Sequence, residues 1–186
     1  MPLHSLKQQP AGLETVYNGL SALKGAQAVL FGGCLYDSDH ARKVNDYDLL
    51  VLALPGISPA EMAMRFAERV DGLCSQYGQL GTRFHVRASN GTLIDLNITP
   101  KALYLDAAYR AGMASVGLAG IAMDMQNGQV HVTTTYLRDK AEQTLTLLDD
   151  TQMDYALKLQ GKYPTHTIVA ADTTPPRVLR AALKPL

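Results

Sequence analysis

Cysteine is scarce in this chain. Cys34 and Cys74 are far apart and set among apolar residues, too few for a disulfide framework, which points to a reducing compartment. An excess of either charge is also missing. The 17 basic side chains balance 17 acidic ones, which excludes a broad electrostatic nucleic-acid footprint while leaving room for a local basic patch. The opening MPLHSLKQQPAG has no apolar run of the signal-peptide kind, and no stretch reaches the roughly 18–20 apolar residues of a membrane span. The expectation is a soluble, cytoplasmic protein without a membrane partner. Neither a P-loop nor GxGxxG is present, and no repeat or low-complexity segment occurs. His85, His131 and His166 are scattered without metal-ligand spacing, and read as exposed or core histidines. Ser115 lacks a nucleophile-elbow context, and no histidine pattern makes Cys34 a catalytic thiol; it reads as a small buried residue. Met62, Met64, Met123 and Met125 read as core fillers.

The chain does have enough apolar side chains, 47%, to bury a core, and its 186 residues suit one domain. Residues 12–24 place Leu13, Val16, Leu20 and Leu23 on one helical face, and Gly25 stops them. Ala28–Phe31 reads as a buried strand entering a Gly32-Gly33 turn. A short helix and loop over 34–45 precede a second strand, Asp46–Ala53, which Pro55-Gly56 breaks. Ser58, Pro59 and Glu61 open a helix predicted to continue to Tyr77, with Met62, Phe66, Val70 and Leu73 on its buried face. Two alternating runs, 82–88 and 92–98, flank Asn90-Gly91, a hairpin signal. A helix is predicted over 100–110, a second hairpin around Asn127-Gly128, a helix over 136–148, and a helix start at Pro175–Ala182. Residues 149–174 carry no clear pattern. The order implies an α+β fold, a mixed sheet with helices packed on it.

Two acids stand out. Asp46 and Asp48 sit at i and i+2 within an apolar strand, so period two sends both carboxylates to one face and Tyr47 and Leu49 into the core. Two such acids repel and are costly to bury unpaired, and a divalent cation removes both problems. Mg²⁺, with Mn²⁺ as a substitute, is held by one or two carboxylates plus substrate phosphates. Asp95 is a third lone charge in an apolar strand. Beside Asp46 and Asp48 it would complete a three-carboxylate metal cluster, or act as a general base. Taken singly, each acid could equally be a solvated strand end. Gly32-Gly33, directly after an apolar strand, would let the backbone approach phosphate closely, though a glycine pair alone is more often a plain turn.

The spacing of Gly32-Gly33-Cys34-Leu35-Tyr36-Asp37, Arg42 and Asp46-Tyr47-Asp48 resembles the opening motif of the family of bacterial poly(A) polymerases and CCA-adding tRNA nucleotidyltransferases. Leu118–Gly128 resembles that family's Asn-Ala-(Leu/Ile)-Ala-x-Asp…Gly stretch, and Pro175–Ala181 its Asp-Pro-x-Arg-(Val/Ile)-Leu-Arg-Ala motif. The resemblance implies a five-stranded nucleotidyltransferase head of the DNA polymerase β superfamily, spanning residues 1–186 as one domain. The neck and body that select bases and hold RNA in that family are expected to be either absent or truncated. It further implies an enzyme using Mg²⁺ and a nucleoside triphosphate such as ATP, with an RNA 3′ end as acceptor. Carried over, Asp46 and Asp48 become metal ligands; Gly32 and Gly33 approach the triphosphate; Asp37 and Arg42 support the nucleotide; Arg177 and Arg180 become triphosphate or base contacts. Without the resemblance, both arginines would read as a solvated helix face. The chain departs from the family at Tyr36, where Arg is expected; at Met113-Ala114-Ser115, in place of Arg-Arg-Asp; and at Ala119, in place of Asn. These changes spare the metal site and alter the nucleotide pocket. The rival expectations are a weakened nucleotide-binding or regulatory module, or transfer to a protein or small molecule.

Overall fold

Alternating apolar residues build the sheet, and the breaks in that alternation decide where each strand stops. The computed structural model describes residues 3–171. Among them, eight strands form one sheet: β1 (Leu3–His4), β2 (Ala28–Phe31), β3 (Asp46–Leu52), β4 (Leu73–Tyr77), β5 (Arg83–Arg87), β6 (Leu93–Thr99), β7 (Ile121–Asp124) and β8 (Val130–Val132). Their order is β1-β8-β7-β2-β3-β6-β5-β4. β3 and β6 run parallel and every other pair is antiparallel, so the sheet is mixed as expected. It is larger than the five strands the resemblance implied and adds two to the six marked by pattern: the two-residue β1 is too short to show a period, and β4 was hidden in a predicted helix.

Six α-helices accompany the strands among the described residues: α1 (Leu13–Ser21), α2 (Gly33–Asp39), α3 (Pro59–Arg69), α4 (Ala107–Gly112), α5 (Thr134–Glu142) and α6 (Met153–Lys162). The Ser58 hydroxyl caps α3 by accepting from the Glu61 amide. The helix predicted to reach Tyr77 ends eight residues earlier, at Arg69. Asp71 is left-handed at φ 48°, and a side chain at Gly72 would lie 2.8 Å from the Arg87 carbonyl. The chain therefore turns and runs back beside β5. Leu73, expected in the core, is 78% exposed, and Met64, expected as a core filler, is 58% exposed.

The predicted helix over 136–148 is likewise cut at Gln143, left-handed at φ 54°. Thr144–Leu147 then forms β9, whose alternating Thr-Leu pattern suits a strand. β9 pairs in parallel with β10 (Thr167–Ala170) through α6, a small βαβ unit whose α6 and β10 lie in the segment that showed no clear pattern. Residues 100–110 divide into a 3₁₀ turn (Ala102–Leu105) and α4, because Asp106 is extended and caps α4 through the Tyr109 amide. The predicted helix at Pro175–Ala182 lies outside the described residues.

The two faces of the sheet differ. Leu30, Tyr47, Leu49, Val51, Phe84, Val86, Ile94, Leu96 and Ile98 belong to one large core, shared with Val16, Met62 and Phe66 of α1 and α3. On the opposite face a smaller cluster of Val29, Leu50 and Ala122 packs under Leu105, Ala107 and Ala111. That cover reaches β7, β2 and β3. Over β6, β5 and β4 the same face is open.

Candidate functional site

The site begins where β2 ends. Gly32 has φ 73° and ψ −138°, a conformation side-chain-bearing residues rarely adopt, and a Cβ there would stand 2.9 Å from Asp48 Oδ2. A Cβ on Gly33 would be 4.0 Å from Asp46 Oδ1. The glycine turn therefore lies directly against both carboxylates. β3 carries them on one face, as period two requires, while Tyr47 and Leu49 are buried on the other.

Behind the turn, α2 is clamped. Its Asp37 and Asp39 are buried, at 1% and 0% exposure. Asp37 accepts from Tyr163 Oη at 2.6 Å and from Lys162 Nζ. Asp39 accepts from Tyr136 Oη and Lys140 Nζ, each at 2.5 Å, and faces His4 Nε2 at 2.9 Å. Burial pushes the Asp39 carboxyl up, but the hydrogen bonds from Lys140, Tyr136 and His4 outweigh it and hold it below the ordinary range. Two buried ion pairs thus fix the helix that starts at Gly33. Asp37, expected beside the nucleotide, is a tie between α2 and α6 that positions Lys162.

Asp48 has no such compensation. Burial, then Asp46 and Asp95, push its carboxyl up to about 6, against the smaller opposing effects of Arg110 and the Gly33 amide. Arg110 lies over the Phe31 ring, 3.7 Å from its centroid, and burial lowers its own pKa. Asp95 sits on β6 in register with Asp48 on β3. Its Oδ1 is turned to His85 Nδ1, 2.6 Å away though off the hydrogen-bond direction. Among the described residues no three His, Cys, Asp or Glu side chains converge into a cation cage.

In front of the acids is a cleft of about 670 Å³. Asp46, Asp48 and Asp95 line one wall with Gly33, and Arg42, Lys43, Lys158 and Lys162 line the rest with Tyr36 and Tyr155. Arg42 stands over the Tyr163 ring, 4.9 Å from its centroid. Of the residues expected at the site, Gly32, Gly33, Arg42, Asp46, Asp48 and Asp95 come together. Asp37 stands behind them, and Arg177 and Arg180 lie outside the described residues. The sequence reading missed Lys158 and Lys162. Their helix was detectable from Ala156, Leu159 and Tyr163, a helical face buried in the structure. Arg110 gave no local signal, because packing of α4 over β2 brings it to Asp48, whereas His85 stands opposite Asp95 across the hairpin that Asn90-Gly91 marks in the sequence. Beside Arg110, Met113, Ala114 and Ser115 line a smaller cavity of about 180 Å³ that also reaches Asp48.

Solved structures share this architecture. A tRNA-processing enzyme in an apo form has a TM-score of 0.65 at 16% identity, over 88% of this chain and 45% of that one. The Thermotoga maritima CCA-adding enzyme complexed with tRNA has a TM-score of 0.63 at 14% identity, over 87% of this chain and 39% of its own. A tRNA nucleotidyltransferase complexed with a primer tRNA and an incoming ATP analogue gives 0.58 at 17%, over 80% and 46%. The fold is therefore the α+β nucleotidyltransferase fold, and the chain spans less than half the length of these structures. No family model matches the chain, and no curated protein matches it by sequence.

Proposed function

We propose that this protein is a Mg²⁺-dependent nucleotidyltransferase that moves a nucleoside monophosphate from a nucleoside triphosphate to an RNA 3′-hydroxyl. One observation carries the reading: Asp48, with its carboxyl raised to about 6, stands beside Asp46 and a glycine turn, facing Arg42, Lys43, Lys158 and Lys162 across one cleft. Uncompensated carboxylates next to a cationic wall would suit a divalent cation together with a polyphosphate.

Asp46 and Asp48 would hold the cation, with phosphate and water oxygens completing its shell. When bound, it supplies charge neutralisation to the triphosphate and the departing pyrophosphate. The protein's own groups do the rest. The Gly32-Gly33 backbone admits the phosphates, and Lys158, Lys162 and Arg42 offset their charge. The acceptor hydroxyl oxygen bonds to the α-phosphorus as the bond to the β-phosphate's bridging oxygen breaks. Pyrophosphate leaves, and the hydroxyl proton passes to Asp95.

A second reading, nucleotide binding without transfer, draws on the uncharged Met113-Ala114-Ser115 segment, beside which Arg110 is the one charged base among the described residues lining that corner. Incubating the protein with each α-labelled nucleoside triphosphate, Mg²⁺ and single-stranded RNA separates the two. Label is expected on RNA, and the Asp46→Asn with Asp48→Asn protein should transfer none. Retained, saturable nucleotide binding with no label on any acceptor would establish the second reading instead.

A further inference from the structure

A second cavity, of about 580 Å³, adjoins the cleft described above over the open half of the sheet, and Asp46 and Asp95 line both. The registers of β4, β5 and β6 set out its floor. Asp95 pairs with His85 and His85 with Ser75; Leu93 pairs with Arg87 and Arg87 with Leu73. These side chains share the face of Asp46 and Asp48, while Phe84, Val86, Ile94 and Leu96 face the core. The chemistry of this floor differs from that of the cleft. The cleft carries four cations, enough for a triphosphate. Among the described side chains lining the second cavity, Arg87 is the one full cation, beside Leu73, Leu93 and an imidazole. Tyr77 stacks on one face of the His85 ring, with centroids 3.9 Å apart and planes 11° apart. Arg83 lies on the same face one register step from His85, paired with Tyr77 and Asn97.

An occupant of this floor must bring a hydroxyl to the acids, an apolar disc to the stacked rings, and separate negative charges to Arg87 and Arg83. We propose that the β4–β5–β6 face seats the 3′-terminal nucleotides of a single-stranded nucleic-acid acceptor, a base resting on His85 and Leu73 and backbone phosphates on Arg87 and Arg83. This rests on the transferase reading above and names where its acceptor lies. Flat sheets that combine an aromatic ring with flanking arginines bind single strands by stacking and phosphate contact, largely without regard to sequence. A duplex end cannot stack its last base there without unpairing.

Fluorescence anisotropy with a 5′-labelled single-stranded oligoribonucleotide tests this on the full chain, without nucleotide or cation. Arg83→Ser with Arg87→Ser should weaken binding at least tenfold and make the slope of log affinity against log salt shallower by about 1.4, two phosphates at about 0.7 each. His85→Ala should weaken binding by about tenfold, with less change in that slope. Arg65→Ser, on α3 and the other side of the sheet, should bind like wild type, and a blunt duplex should bind more weakly than the single strand. The double arginine variant should keep wild-type affinity for a labelled nucleoside triphosphate.

Wild-type RNA affinity in the double variant, or an equal loss in Arg65→Ser, overturns the proposal. So does a dimer that the double variant dissolves without change in RNA binding, which would make the face an interface between copies. If labelled nucleotide is transferred to a protein or small molecule while no variant alters RNA binding, this inference fails with the RNA acceptor, and nucleotidyl transfer itself stands. If RNA binding follows His85, Arg83 and Arg87 but no nucleotide is bound or transferred, the platform stands and the transferase reading fails.

Discussion

Replacing Asp48 by Asn should stabilise the cation-free protein, and only at high pH. The Asp48 carboxyl is pushed up to about 6 by burial, Asp46 and Asp95. An ordinary aspartate titrates near 3.9, and each pH step of difference is worth about 1.4 kcal/mol. A folded-state value above the unfolded one means that the native state favours the protonated side chain. That contribution is complete below about pH 4 and is lost as pH rises through about 6. At pH 8 the ionised Asp48 therefore costs the fold about 3 kcal/mol relative to a neutral side chain. Asn is nearly isosteric and keeps an acceptor for the Gly33 amide, but it removes the partner of Arg110, so a gain of about 2 kcal/mol is expected. For a chain of this size that raises Tm by roughly 4–8 °C. Thermal melts in EDTA at pH 8 and pH 4.5 measure it: the variant should melt higher at pH 8 and near wild type at pH 4.5. Adding Mg²⁺ at pH 8 should raise Tm for wild type by mass action and leave Asp48→Asn unchanged. A variant equally destabilised at both pH values would refute the account of a costly buried charge. An equal Mg²⁺ response in both proteins would refute Asp48 as a ligand.

Two further expectations follow from the same geometry. Lys158 is exposed on the cleft wall, so Lys158→Met should fold normally and weaken nucleoside triphosphate binding by about tenfold, the worth of one charge-assisted hydrogen bond; Lys162→Met should instead leave Asp37 buried with the Tyr163 hydroxyl alone and destabilise the fold by about 3 kcal/mol in urea titration. Gly32→Ala, forced into φ 73° with its Cβ against Asp48, should cost about 1–2 kcal/mol and abolish labelled transfer, whereas Gly25→Ala, at φ 82° with open space around it, should cost about 1 kcal/mol and leave transfer unchanged.

Local patterns in the chain determined much of the fold and part of the site. Period two in Asp46–Leu52 was enough to put Asp46 and Asp48 on one face and Tyr47 and Leu49 on the other. The Ser58 cap set the start of α3, and Asn90-Gly91 set the β5–β6 hairpin. Each of these is a preference of a few neighbouring residues, so it is written in a few neighbouring residues. Tertiary structure decided the rest. Asp71 and Gln143 adopt left-handed backbone that many residues would not signal, and there two predicted helices stop and β4 and β9 begin. Strand order alone makes β6 the neighbour of β3. That places Asp95 in register with Asp48, carries His85 there with its hairpin partner, and leaves an open sheet face beside the acids. The cationic wall has the same origin: Lys158 and Lys162 are more than a hundred residues from Asp46, and packing of α6 against α2 carries them to the cleft. A sequence window registers a residue's neighbours along the chain, whereas the charge, burial and reach of this site come from segments that meet only when the sheet closes.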